Sequence, residues 1–145
     1  MAAADFVLES SVTNATLFVE AKNADAPSSE WAARFARNLL ANINLRPNQY
    51  FLLVLRNKFY LWKHLPRPGA ELPDFEARTE DILQPYLAHI HTSLNELSPA
   101  SFDLLVKSWL TDLSEGAVAP AVADWVRASG LGEFENATIR EEVTN

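Results

Sequence analysis

The sequence contains no cysteine, which excludes disulfide bonds, thiolate metal sites and cysteine nucleophiles. Because disulfides belong mainly to oxidising compartments, this absence also indicates a reducing, cytoplasmic setting. The chain of 145 residues has no run of about 18 apolar residues, so we expect no membrane-spanning helix and no membrane partner. Its first residues lack a basic segment followed by an apolar stretch, and we therefore expect no signal peptide.

Glycine and positive charge are also scarce. All four glycines are isolated, which excludes a glycine-rich phosphate loop. The 12 Lys and Arg residues are outnumbered by 19 Asp and Glu residues, and the net charge is −7. Proteins that hold nucleic acid through its phosphates carry a basic face, and this chain lacks an overall basic field. A local basic surface and an ordinary solvated surface both remain open for the basic residues of the middle third, which are Arg34, Arg37, Arg46, Arg56, Lys58, Lys63 and Arg67.

The first half of the chain carries strand and helix patterns in alternation. Two strand-like runs separated by the turn residues 11–14 predict an antiparallel hairpin. A helix follows, capped by Ser28 or Ser29, because apolar residues recur at every fourth position from Trp31. A continuous apolar run then predicts a strand buried on both faces, followed by its antiparallel return. The four predicted strands cover residues 5–10, 15–22, 50–55 and 58–63.

The second half reads differently. Residues 64–76 are rich in proline and predict a loop, and most of 77–145 has helical patterning. Residues 137–143 fit either a last short strand or a frayed tail. The length suits one domain with a real core. We therefore predict a single α+β domain over 1–145, with a mixed sheet of four or five strands in a core at 4–63 and flanking helices.

The chemistry of the first hairpin depends on its register. Side chains at i and i+2 of a strand share a face, so Glu20 and Lys22 project together. If the chain turns near residues 12 and 13, the numbers of opposed residues sum to about 25, and Asp5 lies opposite Glu20. A shifted turn raises the sum to about 27 and places Asp5 opposite Lys22. Both registers bring the three side chains together.

Two carboxylates and a lysine suit the cleavage of phosphodiester bonds. Hard divalent cations such as Mg²⁺ bind a few carboxylate oxygens and waters, and they neutralise the charge that builds on a phosphoryl group. Asp5 and Glu20 would supply two such oxygens and the Ala21 backbone carbonyl a third, while Lys22 would hold or help deprotonate the attacking water. On its own, a Glu-X-Lys tripeptide is usually a surface ion pair of less than ~1 kcal/mol.

A resemblance to a known superfamily covers residues 4–63. It is carried by four sequence segments: ADFVLES, LFVEAKN, SEWAARFARNLLAN and YFLLVLRNKFYLWK. Asp5 followed by Glu20-Ala21-Lys22 resembles the D-X(n)-(D/E)-X-K signature of the PD-(D/E)XK, or restriction-endonuclease-like, superfamily. The closer likeness is to the N-terminal nuclease domain of type I restriction enzyme R subunits and related stand-alone proteins. The resemblance implies a restriction-endonuclease-like sheet, Mg²⁺ (or Mn²⁺) held by Asp5, Glu20 and Ala21, catalytic assistance from Lys22, and hydrolysis of DNA.

Two departures from the family pattern keep a second function open. No helix contributing a further Glu precedes Asp5, and the helix after the motif carries Arg34 and Asn38 where many relatives have Gln. These two residues would either contact a phosphate or be solvated. The chain is therefore either a Mg²⁺-dependent nuclease-like domain tied to restriction or repair, or a catalytically inactive module of the same fold. An unrelated α+β scaffold with a surface ion pair is a third interpretation.

An inactive module would bind or assemble through its helical half. The apolar stripe of Phe102, Leu105, Trp109 and Leu113 recurs at helical spacing and predicts one long helix. In this interpretation the stripe packs on a partner subunit or on a second copy of the chain as a homodimer. The acidic net charge and the absent first helix favour this function, whereas the retained Asp5, Glu20 and Lys22 favour the nuclease.

Overall fold

The computed structural model of the protein describes residues 5–40, 48–63 and 72–142. These residues form six strands and four α-helices, and the α+β class is confirmed, with helices dominating the C-terminal half. The elements in chain order are β1 (Phe6–Glu9), β2 (Thr16–Ala21), α1 (Ser29–Leu39), β3 (Gln49–Val54), β4 (Lys58–Trp62), β5 (Phe75–Arg78), α2 (Thr79–His89), α3 (Pro99–Glu115), α4 (Pro120–Ser129) and β6 (Thr138–Glu141).

All six strands belong to one mixed sheet with the order β5-β4-β3-β2-β1-β6. β2 and β3 run parallel. Parallel neighbours need a crossover connection, and α1 lies in the connection between these two strands. The other four pairings are antiparallel. The predicted hairpins β1–β2 and β3–β4 are confirmed. The apolar run of β3 lies at the centre of the sheet, where residues 51–54 are all fully buried, as predicted for a strand covered on both faces.

Helices cover both faces of the sheet. α1 lies on one face, where its small buried residues Ala32, Ala33 and Ala36 pack with Phe51 and Trp62. The Ser28 hydroxyl caps this helix by accepting from the Trp31 N–H, so the first of the two predicted caps is the one used. The opposite face is covered by α2, α3 and α4 in a larger core that also contains side chains of β1 to β4. The sheet is therefore the middle of three layers.

The apolar stripe of α3 belongs to the interior of the chain itself. Phe102 is 0% exposed, Trp109 is 1% exposed and Leu113 is 2% exposed. The prediction that this stripe packs on a partner or a second copy is therefore wrong. A sheet with an apolar face is stable only when that face is buried. The apolar stripe of α3 packs on this face of the sheet and buries it.

The sheet has six strands, whereas the sequence predicts four or five. β5 begins at Phe75, inside the predicted loop 64–76, whose residues 64–71 lie outside the described part of the chain. Its four residues are partly exposed and have no strong strand pattern. Tertiary contacts support it: it pairs with β4, and the Trp125 indole N–H donates to the Glu76 carbonyl at 3.3 Å. At the other edge, β6 pairs with β1, so the second predicted alternative for 137–143, a frayed tail, is wrong.

Among the described residues, no helix combines the length and the apolar character that crossing a membrane requires.

Gly116 ends α3 in the left-handed conformation, with φ +68°. Gly116→Ala is expected to lower the free energy of unfolding by about 1–2 kcal/mol, because a Cβ is disfavoured at this φ. The new Cβ would also meet the Glu135 carboxylate. Urea unfolding measures the loss. Gly132→Ala is the matched control, since its φ is not in the left-handed region and no atom lies within 4 Å of its added Cβ. An equal effect of the two substitutions would contradict the prediction.

Candidate functional site

The candidate site begins with the register of the first hairpin. Regular pairing runs from Phe6 opposite Val19 to Glu9 opposite Thr16, which is the first of the two predicted registers. Asp5 precedes the regular ladder and is bonded to β2 at two points. Its N–H donates to the Val19 carbonyl at 2.8 Å, and its Oδ2 accepts from the Ala21 N–H at 2.8 Å. These two bonds lie on either side of Glu20 in the chain, so Asp5 is held next to Glu20.

Glu20 is a buried carboxyl group in this arrangement, with 6% of the residue exposed. Burial is the main cause that raises its pKa to about 7, and repulsion from Asp5 adds to the increase. Lys22 acts in the opposite direction, because its Nζ lies 3.4 Å from Glu20 Oε1 and its positive charge favours the carboxylate. The ion pair therefore offsets only part of the cost of ionising Glu20.

Lys22 links this buried group to the surface. About half of its side chain is exposed (48%), whereas the side chain of Glu20 is 8% exposed. The Lys22 N–H donates to the Val54 carbonyl at 2.9 Å, and Ala21 pairs with Val54, so the site lies where the parallel strands β2 and β3 both end. The carboxyl ends of parallel strands are the usual position of ligand sites in sheets with crossover helices.

The segment after Lys22 is held by side chains from the β3–β4 turn. Arg56 donates to the Asn23 side chain, and its guanidinium also donates to the carbonyls of Leu94 and Leu97. Asn57 forms two bonds with the Ala26 backbone, accepting from its N–H at 2.9 Å and donating to its carbonyl at 2.7 Å. The chain that carries Lys22 is therefore fixed to two other segments of the fold.

A third carboxyl group, which sequence reasoning missed, lies near this site. Asp103 of α3 lines the same surface groove as Asp5. Partial burial raises the pKa of Asp103, repulsion from Asp5 raises it further, and Lys22 lowers it. The sequence contains no signal for this proximity, because Asp103 lies in a helix far along the chain and only packing of α3 on the sheet brings it close to Asp5.

The phosphate contacts of Arg34 and Asn38 stay a prediction. Arg34 and Asn38 are both exposed on α1. Asn38 takes part in the end of this helix through its backbone carbonyl, which accepts from the Leu40 N–H. Two lysines of the middle third contact other side chains. Lys58 pairs with Glu76 at 3.1 Å, and Lys63 Nζ lies 6.0 Å from the centre of the Tyr50 ring. Arg46 and Arg67 lie outside the described residues.

The chemistry of this donor set fits one hard cation. Within residues 5–40, 48–63 and 72–142, no three Asp, Glu or His side chains are grouped closely enough to hold a metal together. Asp5 and Glu20 form a smaller set of two carboxyl groups, beside the backbone carbonyl of Ala21. Mg²⁺ is commonly bound by one or two carboxylates and completes its shell with waters. The repulsion between Asp5 and Glu20 is the cost that a cation between them would relieve.

Comparisons of this chain with models of protein families, with curated proteins and with solved structures found no match.

Proposed function

We propose that the protein is a metal-dependent phosphodiesterase of the PD-(D/E)XK type that hydrolyses DNA with Mg²⁺ or Mn²⁺. The observation that carries the proposal is the bonding of Asp5 to β2 on both sides of Glu20, with Lys22 Nζ 3.4 Å from the Glu20 carboxyl group. These are the residue types of the predicted signature, and they meet at the carboxyl ends of β2 and β3. The proposal keeps a cytoplasmic setting and a role in restriction or repair, alone or as a homodimer or with a partner subunit.

Each residue has a defined part in this proposal. Asp5, Glu20 and the Ala21 carbonyl would hold the ion, which when bound supplies a Lewis acid for the phosphoryl oxygens. Burial of Glu20 keeps bulk water away from the inner side of the site. The exposed half of Lys22 allows its ammonium group to contact a phosphate oxygen or to orient a water for in-line attack. Arg34 and Asn38 would contact the phosphates of the DNA backbone farther from the reacting bond.

A plasmid cleavage assay with Mg²⁺ or Mn²⁺ tests the proposal. Glu20→Ala and Lys22→Ala are each expected to lower the cleavage rate at least ~100-fold, the usual size of a lost acid, base or charge-stabilising group. Lys58→Ala is the matched control, because it removes a lysine from an ion pair of similar length, 3.1 Å, on another part of the sheet. The control is expected to cleave at the wild-type rate. Cleavage that survives both site substitutions would rule this site out.

The alternative function is a catalytically inactive module of the same fold. One observation favours it, since the described residues contain no group of three or more metal-ligating side chains. Calorimetric titration with Mg²⁺ and Mn²⁺ separates the two functions. If the protein is a phosphodiesterase, the wild type binds Mg²⁺ or Mn²⁺ and Glu20→Ala does not. If the wild type neither binds these ions nor cuts DNA, it is the inactive module.

A further inference from the structure

A groove of about 460 Å³ lies between α2 and α3, and the segment that leads into α4 closes one side of it. Its walls are largely apolar and include Pro85, Ile90, Leu105 and Ala117. Ile90 is 48% exposed, so an apolar surface of the groove faces solvent. The volume is within the range of roughly 300–1,000 Å³ that is typical of small-molecule sites. None of the residues of the proposed phosphodiesterase site lines this groove.

The polar part of the groove is a bonded pair, Tyr86 and Asp112. The Tyr86 hydroxyl donates to the Asp112 carboxyl group. Burial, followed by the proximity of Asp112, raises the pKa of Tyr86, so its hydroxyl keeps its proton and remains the donor. A carboxylate offers about four acceptor positions on its two oxygens, and Tyr86 occupies one of them. Tyr86 thus orients Asp112 and leaves acceptor positions for a ligand.

Asp112 lacks a cationic partner within the described part of the chain, where the ion pairs of Lys and Arg go to other acids. The chain also carries a net charge of −7, which attracts cations and repels anions. The Asp112 carboxylate beside the apolar walls of the groove therefore favours a ligand that has one cationic end and a hydrocarbon body. The amine end would satisfy Asp112, and the hydrocarbon body would cover Leu105 and Ile90.

We propose that this groove is a binding site for a small organic amine. Its ammonium group pairs with the Asp112 carboxylate, and its apolar body lies between α2 and α3. The neighbouring His89 and Ser108 also line the groove and border the ligand position. The proposal is independent of DNA hydrolysis, because it rests on other residues and requires no metal.

Three probes of similar size test the charge requirement: 2-phenylethylamine, 2-phenylethanol and phenylacetate. Binding is followed on the wild-type protein through the NMR signals of the Ile90, Leu105 and Ala117 methyl groups. The amine is expected to bind about 5- to 10-fold more tightly than the alcohol, the value of one partly exposed charge-assisted hydrogen bond. Phenylacetate is expected to cause no shift at the same concentration. Equal binding of amine and alcohol, or no shift with any probe, would overturn the proposal.

Asp112→Asn tests the residue that the proposal names. Asn keeps an acceptor for the Tyr86 hydroxyl but lacks the negative charge, so the amine is expected to bind no better than the alcohol. Asp124→Asn is the matched control, because Asp124 is an exposed acid on α4 that pairs with Arg127 at 3.0 Å. The control keeps the preference for the amine. A preference that persists in Asp112→Asn contradicts the proposal, and the three-probe comparison on the wild type decides the matter if that variant does not fold.

Discussion

Glu20→Gln is expected to stabilise the metal-free protein at pH 8 by about 2–3 kcal/mol, a large change for one substitution. The wild-type protein must ionise a buried carboxyl group at this pH, since the pKa of Glu20 is raised from 4.5 to about 7. Glutamine has nearly the same shape and carries no charge to desolvate. The substitution also removes the ion pair with Lys22. This loss costs less stability than the removed charge returns, because half of the lysine side chain is exposed.

The pH dependence of this effect has a definite sign. The pKa of Glu20 is higher in the folded state than in the unfolded state, so the folded protein binds this proton more tightly. The resulting stability is fully present below about pH 4.5 and is lost as the pH rises to about 7. Glu20→Gln has no carboxyl group to ionise and does not lose this stability. The difference in free energy of unfolding between Glu20→Gln and the wild type should therefore grow from about pH 4.5 to about pH 7 and level off above it.

Urea unfolding in EDTA at several pH values between 5 and 8 measures the difference. Glu76→Gln serves as the control, because Glu76 forms an ion pair with Lys58 in which both side chains are more than one-third exposed. That substitution is expected to change stability by less than ~1 kcal/mol at every pH. The account of Glu20 would be wrong if the wild type and Glu20→Gln lost stability in parallel between pH 5 and 8.

Adding Mg²⁺ connects this result to the proposed function. An ion that binds only the folded state raises the free energy of unfolding by RT ln(1 + [ion]/Kd). Mg²⁺ at pH 8 should therefore stabilise the wild type and leave Glu20→Gln nearly unchanged. A Mg²⁺ effect of the same size in both proteins would place the ion elsewhere and would count against Asp5 and Glu20 as its ligands.

Arg56→Ala is expected to lower the free energy of unfolding by about 2–4 kcal/mol, because it removes several charge-assisted hydrogen bonds to partly buried groups. Of the two carbonyls that Arg56 contacts, that of Leu94 keeps another donor, the Leu97 N–H at 3.3 Å. The guanidinium donates to Leu94 and Leu97, which precede α3, and to Asn23, which follows the site. It also lies 5.5 Å from the centre of the Phe102 ring. One side chain thus joins the end of β2, the β3–β4 turn and the start of α3.

Two further substitutions make the Arg56 prediction specific. Arg56→Lys keeps the charge but lacks the planar fork that reaches two carbonyls at once, so it is expected to restore less than half of the lost stability. Arg34→Ala removes an exposed arginine of α1, and it is expected to cost less than ~0.5 kcal/mol. Urea unfolding of the three variants measures these values. Similar losses in Arg34→Ala and Arg56→Ala would contradict the structural role of Arg56.

The basic residues of the middle third show why composition alone was ambiguous. In the sequence, Arg56 and Lys58 were as suitable for a nucleic-acid surface as Arg34. The fold uses Arg56 to satisfy backbone carbonyls and pairs Lys58 with Glu76, whereas Arg34 remains exposed. The partner of a long side chain depends on which distant segment passes within its reach, and sequence patterns do not contain that distance.

Distance along the chain also decides which strands of the sheet were predictable. Hairpins β1–β2 and β3–β4 were predictable because strand period, turn residues and short connections are all local properties. β5 was not, since its four partly exposed residues become a strand only through pairing with β4 and the bond from Trp125. Edge strands depend on neighbours more than on their own propensity.

The sequence by itself determined the α+β class, the mixed sheet, the buried β3, and a hairpin that brings Asp5 to Glu20. All of these follow from periodicity and short connections. Only the tertiary structure decided that the α3 stripe is internal, that Asp103 lies near Asp5, and that Glu20 is buried with a pKa of about 7. Burial and electrostatic coupling are properties of surroundings assembled from the whole chain, so they arise only when helices and sheet are packed together.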